Sequence, residues 1–218
     1  MELLVGPIVE RPPGAKSSAG LRYAEVAPTA PLPKPATLAR WRSRFSGEAK
    51  LGLRVPAPCW NGPDGVLRPD PAAMGWLEAA IDVLEPTSVV VPTGASITTG
   101  ARDRKRLEAY FSQFPKRDGI DLVWRGTGLW EPDTRESVAH ALGVIGGIDA
   151  LDDPVPTVAV VHAELRAEGF RQSFSQAVLA DALDTLLHSG AQRAYVAIES
   201  SHAIREAKLL QSLFDGEA

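Results

Sequence analysis

The chain has 218 residues, of which 44% are hydrophobic, and its formal net charge is −4. This length and apolar content are enough to bury a sizeable core, and we expect a single domain over residues 1–218. The small negative charge argues against nonspecific affinity for nucleic acid or anionic membranes. The single cysteine excludes an intrachain disulfide bond and a multi-cysteine metal site.

Two features of the sequence bear on where the protein works. No apolar run reaches the length of about 18 residues that a membrane-spanning helix needs. The start of the chain carries the acidic Glu2 and no basic stretch, which is not the pattern of a secretory signal peptide. We therefore expect a cytoplasmic protein with no membrane partner. No motif in the sequence indicates an oligomeric state.

Apolar runs alternate with segments of helical periodicity along the chain. The runs fit eight strands, over residues 3–8, 21–26, 51–55, 88–91, 121–124, 148–151, 157–161 and 194–198. Apolar spacing predicts helices over 36–45, 72–84, 102–114, 134–145, 174–188 and 203–214. Residues 10–20 have no helical pattern, so the first unit is shortened or irregular. Because strands that alternate with helices pair in parallel, eight of them predict a compact TIM-like (β/α)8 barrel.

One segment carries a family resemblance. Residues 22–41 place Glu25 at the end of a short apolar strand, followed by four prolines and a helix. The strand and the run LPKPATLARW at 32–41 resemble the glutamate-bearing strand and the "LPKPETLARW" segment of the domain-of-unknown-function 72 family (YecE-like proteins). Further similar segments are LRVPAP at 53–58, WRGTGLW at 124–130, VHA at 161–163 and the last strand with its helix from 194.

The resemblance covers almost the whole chain and implies a TIM-barrel-like fold. It implies no activity, because the family's own activity is undefined. Of the family's polar residues, the matched positions here are Glu25, Arg125 and His162. Other family residues are replaced, at residues 5–7 of the first strand and at Trp124, Val160, Glu199 and Ser200.

In such a barrel the carboxyl ends of the strands form the functional face. For acid–base chemistry, Glu25 or Glu199 is the candidate base and His162 its partner, because imidazole ordinarily titrates close to neutral pH. Arg125 could clamp a carboxylate or phosphate with its planar fork, or could pair with Glu25 or Asp152 instead. The candidate ligand-binding residues are Arg54, Arg125, Asp152 and Glu164.

Metal binding is a further interpretation of the same residues. His162, Glu199 and either Asp152 or Asp153 include the ligand types that Zn²⁺, Mn²⁺ and Fe²⁺ accept. Alternatively, these side chains form a cap held by hydrogen bonds and salt bridges. The spacing follows from the fold and from no local motif, so we predict no cofactor and leave the metal question open.

Two functions remain. Because several polar family residues are replaced, we favour a barrel that binds a small molecule or a protein partner and lacks established catalysis. The alternative is a hydrolase or isomerase acting on a small phosphorylated or sugar-like molecule, with Glu25, His162 and Glu199 central. An enzyme requires these groups to converge on an open pocket, whereas in a binding protein they neutralise one another.

Overall fold

The computed structural model describes residues 1–45, 49–169 and 172–216. Its strands are β1 (Glu2–Val9), β2 (Tyr23–Val26), β3 (Lys50–Arg54), β4 (Asn61–Gly62), β5 (Gly65–Val66), β6 (Ser88–Thr93), β7 (Asp121–Gly126), β8 (Ile145–Asp149), β9 (Val160–Arg166) and β10 (Arg193–Glu199). Its α-helices are α1 (Ala15–Ser18), α2 (Pro35–Arg42), α3 (Pro71–Leu84), α4 (Ala101–Ser112), α5 (Pro132–Leu142), α6 (Gln176–His188) and α7 (Ala203–Asp215).

Eight of the strands form a closed parallel barrel in the order β1-β10-β9-β8-β7-β6-β3-β2. The predicted (β/α)8 barrel is therefore confirmed. The remaining two strands, β4 and β5, form a small antiparallel hairpin in the long connection that follows β3. Within the described ranges, no helix is long and apolar enough to cross a membrane.

The described chain divides into two compact units. The first comprises Met1–Val26, Arg44–Lys50 and Gly147–Ala218, and the second comprises Ala27–Ser43 and Leu51–Gly146. Each unit is therefore discontinuous along the chain. The expectation of a single domain over residues 1–218 stays a prediction.

The core of the first unit lies between β1, β9, β10 and the helices α6 and α7. Val5 pairs in register with Val196, which pairs with Ala163 on the other side. These residues lie on one face of the strands and pack with α6 and α7 in a single apolar cluster. Since side chains alternate along a strand, the opposite face of β9 and β10 carries the residues in between, and these include polar groups.

The second unit shows why its helices begin where they do. The Asp70 carboxylate accepts a hydrogen bond of 2.7 Å from the backbone N–H of Ala72, and Pro71 occupies the first position of α3.

The Cys59 thiol is fully buried and donates to the carbonyl of Ala73, 3.2 Å away. Burial, with the nearby charge of Asp70, raises the pKa of this thiol to about 12. Cys59 is thus a packing residue rather than a nucleophile.

Several predicted boundaries are wrong. Helix α5 ends at Leu142, because Gly143 has φ 66° and closes it in the left-handed conformation, and β8 consequently begins at Ile145 rather than at residue 148. Strand β9 covers Val160–Arg166 rather than residues 157–161. A single helical turn, α1, lies inside the segment predicted to have no helix. The shift of β9 matters most, because it places His162 inside the strand rather than at its carboxyl end.

Candidate functional site

Strand β9 carries a row of three polar side chains. His162, Glu164 and Arg166 occupy alternate positions and therefore share one face of the strand. On the neighbouring strand β10, Tyr195 is in register with His162 and Glu199 with Arg166. This face of the first unit thus collects three of the predicted site residues, His162, Glu164 and Glu199, together with an arginine that the sequence analysis did not single out.

The innermost polar contact joins Glu25 and His162. The Nε2 atom of His162 lies 2.9 Å from Oε2 of Glu25, and the Tyr23 hydroxyl donates to the same oxygen at 3.4 Å. Both Glu25 and His162 have 0% exposed surface. Among the described residues, the Nδ1 atom of His162 has no hydrogen-bond partner. The two residues of this unit that carry the family resemblance therefore contact each other in the interior, away from solvent.

Aromatic rings pack beside this pair. The rings of Tyr23 and Tyr195 lie 5.4 Å apart between centroids, and the Tyr195 ring lies 6.3 Å from the imidazole of His162. Leu4 completes the cluster with Val160 against it. The side chains of the pair are thus held by close packing on their apolar side, which limits the positions the imidazole can adopt.

A second polar cluster lies further along β9, towards its carboxyl end. Arg166 forms an ion pair with Glu164, with 2.8 Å between Nη2 and Oε1, and its Nε donates a hydrogen bond to Glu199 Oε2, also at 2.8 Å. Glu164 is 1% exposed, whereas the side chains of Arg166 and Glu199 are 36% and 48% exposed. Glu199, predicted as a candidate base, is therefore paired with an arginine. Within the described ranges, Glu199 forms no hydrogen bond or ion pair with His162.

The alternation in residues 160–166 was the signal that could have identified Arg166. Apolar and polar residues alternate through VHAELR at 161–166, which is the period of a half-buried strand. Extending the predicted strand by this period places Arg166 on the same face as His162 and Glu164. The prediction stopped at Val161 because the more continuous apolar run ends there.

The predicted metal ligands are not gathered. Residues 1–45, 49–169 and 172–216 contain no group of three or more His, Cys, Asp or Glu side chains that could hold an ion. His162 contacts Glu25, Glu199 contacts Arg166, and the Asp153 carboxylate accepts from the backbone N–H of Asp149 at 2.7 Å. The structure therefore offers no support for a site built from His162, Glu199 and Asp152 or Asp153.

Asp152 lies in a different place, at an acidic cavity. This cavity has a volume of about 640 Å³ and lies between the carboxyl ends of β8 and β9 and one side of α6. The connection over residues 150–159 contains no helix, which leaves this space beside α6. Its charged lining residues are Asp149, Asp152, Arg166, Glu168 and Asp181.

The remaining predicted residues, Arg54 and Arg125, belong to the second unit. Each is 8% exposed. Arg54 is in register with Val90 and Arg125 with Pro92, so both arginines lie on the same face of that unit's strands. Trp124 lies on the opposite face, where its Nε1–H donates to the Thr93 hydroxyl at 2.8 Å. The prediction that Arg125 meets Glu25 stays a prediction.

Comparison with solved structures agrees with the barrel topology. A DUF72 family protein from Thermotoga maritima superposes with a TM-score of 0.69 at 12% sequence identity, covering 99% of this chain and 100% of that chain. A sugar phosphate isomerase/epimerase from Parabacteroides distasonis superposes with a TM-score of 0.56 at 12% identity, covering 94% and 88%. At these identities the likeness concerns the fold, and at that level it confirms the resemblance predicted from the sequence.

Comparison by sequence, in contrast, finds no match. No family model matches the chain, and no curated protein matches it. Assignment of the site therefore depends on the side chains described above.

Proposed function

We propose that this chain is a diverged barrel of the domain-of-unknown-function 72 type that binds a small ligand and does not use Glu25 and His162 as a catalytic pair. The observation that carries the proposal is the complete burial of both residues, which contact each other at 2.9 Å. A general base must reach the proton it removes within hydrogen-bond distance, directly or through one water molecule. Glu25 and His162 offer no exposed surface for such an approach.

The second polar cluster supports the same function. Glu164 and Glu199 both pair with Arg166, so neither carboxylate at the end of β9 is without a cationic partner. This arrangement is the one expected of a binding barrel rather than of an open acid–base site. A cytoplasmic location and one domain over residues 1–218 belong to this proposal.

Chemical modification tests the burial directly. Diethyl pyrocarbonate modifies accessible imidazoles, and the chain has four histidines, of which His140, His188 and His202 are exposed. We expect mass spectrometry of the native protein to find these three modified and His162 unmodified, with His162 reacting after unfolding in urea. Modification of native His162 at the rate of His188 would overturn the proposal.

A second candidate is an isomerase acting on a phosphorylated sugar, with Glu25 as the base. The observation that favours it is the barrel likeness to a protein described as a sugar phosphate isomerase/epimerase, which extends over 94% of this chain. Reactions of that class transfer a carbon-bound proton, so substrate incubated in D2O gains deuterium.

The two candidates predict opposite results in that assay. With glucose 6-phosphate, ribose 5-phosphate and xylulose 5-phosphate as probes, we expect no deuterium in the recovered sugars by mass spectrometry. Incorporation that is present in the wild type and lost in Glu25→Gln would establish the isomerase and exclude our first proposal. His188→Gln, which changes an exposed histidine of α6, is the matched control.

A further inference from the structure

The first unit has a second cavity, away from the buried pair. It lies between the carboxyl ends of β1 and β10 and the beginning of α7, with a volume of about 600 Å³. This volume is within the range of ligand-binding cavities. One wall is apolar and consists of Pro7, Ile8 and Val9. We call this space the cationic cavity because of the residues on its other side.

The opposite wall carries cationic side chains of α7. Arg205 and Lys208 lie three residues apart and so project from the same side of the helix, and His202 precedes them by the same interval. Within the described ranges, neither Arg205 nor Lys208 has an ion pair or a side-chain hydrogen bond. The lining includes no Asp or Glu. These cations are therefore available to a ligand.

Two arginines elsewhere in the same unit are paired. Arg22 pairs with Asp215 at 2.9 Å, and Arg193 pairs with Glu2 at 2.6 Å. Both pairs are partly exposed, so exposure alone does not leave an arginine without a partner in this unit. Arg205 and Lys208 have no such partner in the described residues, although they line a cavity together.

Glu206 of α7 is next to Arg205 in the sequence, but its carboxylate forms hydrogen bonds with other groups of the protein. Glu206 is 2% exposed, and its Oε1 atom accepts from the backbone N–H of Phe174 at 2.7 Å. Its other oxygen accepts from the Ser200 hydroxyl. Because both oxygens are used within the protein, Glu206 does not satisfy Arg205 or Lys208.

The same hydrogen bonds hold the rim of the cavity in place. The Ser200 hydroxyl also accepts from the backbone N–H of His202 at 3.0 Å. The Ser201 hydroxyl donates to the carbonyl of Gln172 at 2.6 Å. Residues 200–202 are thereby anchored on both sides, and a rim already fixed loses little conformational entropy when a ligand binds.

From this geometry we infer that the cationic cavity binds a small amphiphilic anion. A carboxylate or phosphate monoester contacts Arg205 and Lys208, and an attached apolar group packs on Pro7, Ile8 and Val9. The inference rests on the proposed function, because it names the class of ligand that the barrel binds. Neither a purely ionic nor a purely apolar ligand uses both walls.

Isothermal titration calorimetry of the whole chain with octyl phosphate tests the inference, with inorganic phosphate and octanol as partial probes. We expect octyl phosphate, kept below its critical micelle concentration, to bind at least tenfold more tightly than either. Equal affinities for octyl phosphate and inorganic phosphate would overturn the role of the apolar wall. Absence of octyl phosphate binding at millimolar concentration would overturn the whole inference.

Variants locate the bound anion. Arg205→Ala and Lys208→Ala should each weaken octyl phosphate binding about tenfold. Lys105→Ala, which removes an exposed lysine from α4 in the second unit, should leave the affinity unchanged. Unchanged binding in Arg205→Ala and Lys208→Ala overturns the assignment of the cavity. The proposed function then still stands, because it fails only on modified native His162 or on deuterium incorporation that requires Glu25.

Discussion

Two regions of the first unit, the Glu25–His162 pair and the cationic cavity, differ in whether their polar side chains are buried and have partners. Glu25 and His162 are fully buried and contact each other, whereas Arg205 and Lys208 line an open space without a partner in the described chain. Burying an unpaired charge is costly, so interior charges must be matched within the protein. We therefore interpret the pair that the family resemblance singles out as structural, and the unpaired surface cations as the groups available to bind, in line with the proposals above.

The cluster of Glu164, Arg166 and Glu199 lies between these two extremes. Glu164 is nearly inaccessible, and the other two side chains are partly exposed, yet all three are joined by contacts of 2.8 Å. The gradient along β9 thus runs from a closed pair at His162 to a half-exposed cluster at Arg166. Accessibility, more than residue type, separates the structural groups from the candidate binding groups.

The largest expected effect comes from breaking the buried pair. His162→Ala removes the contact to Glu25 and leaves a cavity, and it should lower the free energy of unfolding by about 3–5 kcal/mol. Urea unfolding followed by tryptophan fluorescence measures the change. His188→Ala is the matched control and should change stability by less than about 0.5 kcal/mol, because His188 is exposed and its contacts among the described residues are with Asp184 of the same helix, at 2.7 Å to the carbonyl and 3.4 Å to the carboxylate.

If His162→Ala does not fold, the milder His162→Gln gives the same information. The amide can still donate towards Glu25, so we expect it to be more stable than the alanine variant and less stable than the wild type. Wild-type stability in the alanine variant, or a glutamine variant no more stable than the alanine variant, would show that the contact to Glu25 contributes nothing to the fold. The Glu25–His162 pair could then no longer be contrasted with the cationic cavity as a structural element of the protein.

An intermediate effect is expected at Asp103, a mostly buried acid of the second unit. Its carboxylate accepts from the backbone N–H and the hydroxyl of Thr98, at 2.9 and 2.7 Å, and from Arg106. These hydrogen bonds, the one from the Thr98 backbone foremost, hold the pKa of Asp103 below its ordinary value. Asp103→Asn should therefore cost about 1–2 kcal/mol of stability at neutral pH.

The pH dependence of that cost follows from the direction of the shift. Because the folded state favours the ionised carboxylate, its contribution is present above about pH 4 and is lost as the pH falls through the lower pKa of the folded state. Urea unfolding at pH 7 and at pH 3 should show the gap between wild type and Asp103→Asn narrowing in acid. If the difference in free energy of unfolding between wild type and Asp103→Asn did not change with pH, the hydrogen bonds would not depend on the negative charge of the carboxylate.

The smallest effect on stability is expected at the cationic cavity. Arg205→Ala and Lys208→Ala remove side chains with no partner in the described chain, so the free energy of unfolding should change by less than about 0.5 kcal/mol. Thermal unfolding by circular dichroism measures this. A loss as large as that of His162→Ala would indicate that these cations serve the fold, and it would remove the contrast on which the binding site was assigned.

Much of the fold could be predicted because local patterns carry it. The valines of residues 89–91 predicted a fully covered strand, and β6 is buried there. The spacing of Leu77, Ala80, Ile81 and Leu84 predicted the buried side of α3. Element boundaries were predicted wrongly where a helical pattern and a strand pattern overlap. Around Gly143, the end of α5 and the start of β8 are three residues apart.

The sequence alone determined most of the segments that become strands and helices, and their alternation favoured a closed parallel barrel. Only the tertiary structure decided which side chains meet. Glu25 and His162 are 137 residues apart in the chain, and their contact depends on strand order and register, neither of which a local period encodes. The same holds for Arg205 and Lys208. Their charge is visible in the sequence, but their lack of partners depends on where every carboxylate of the folded unit lies.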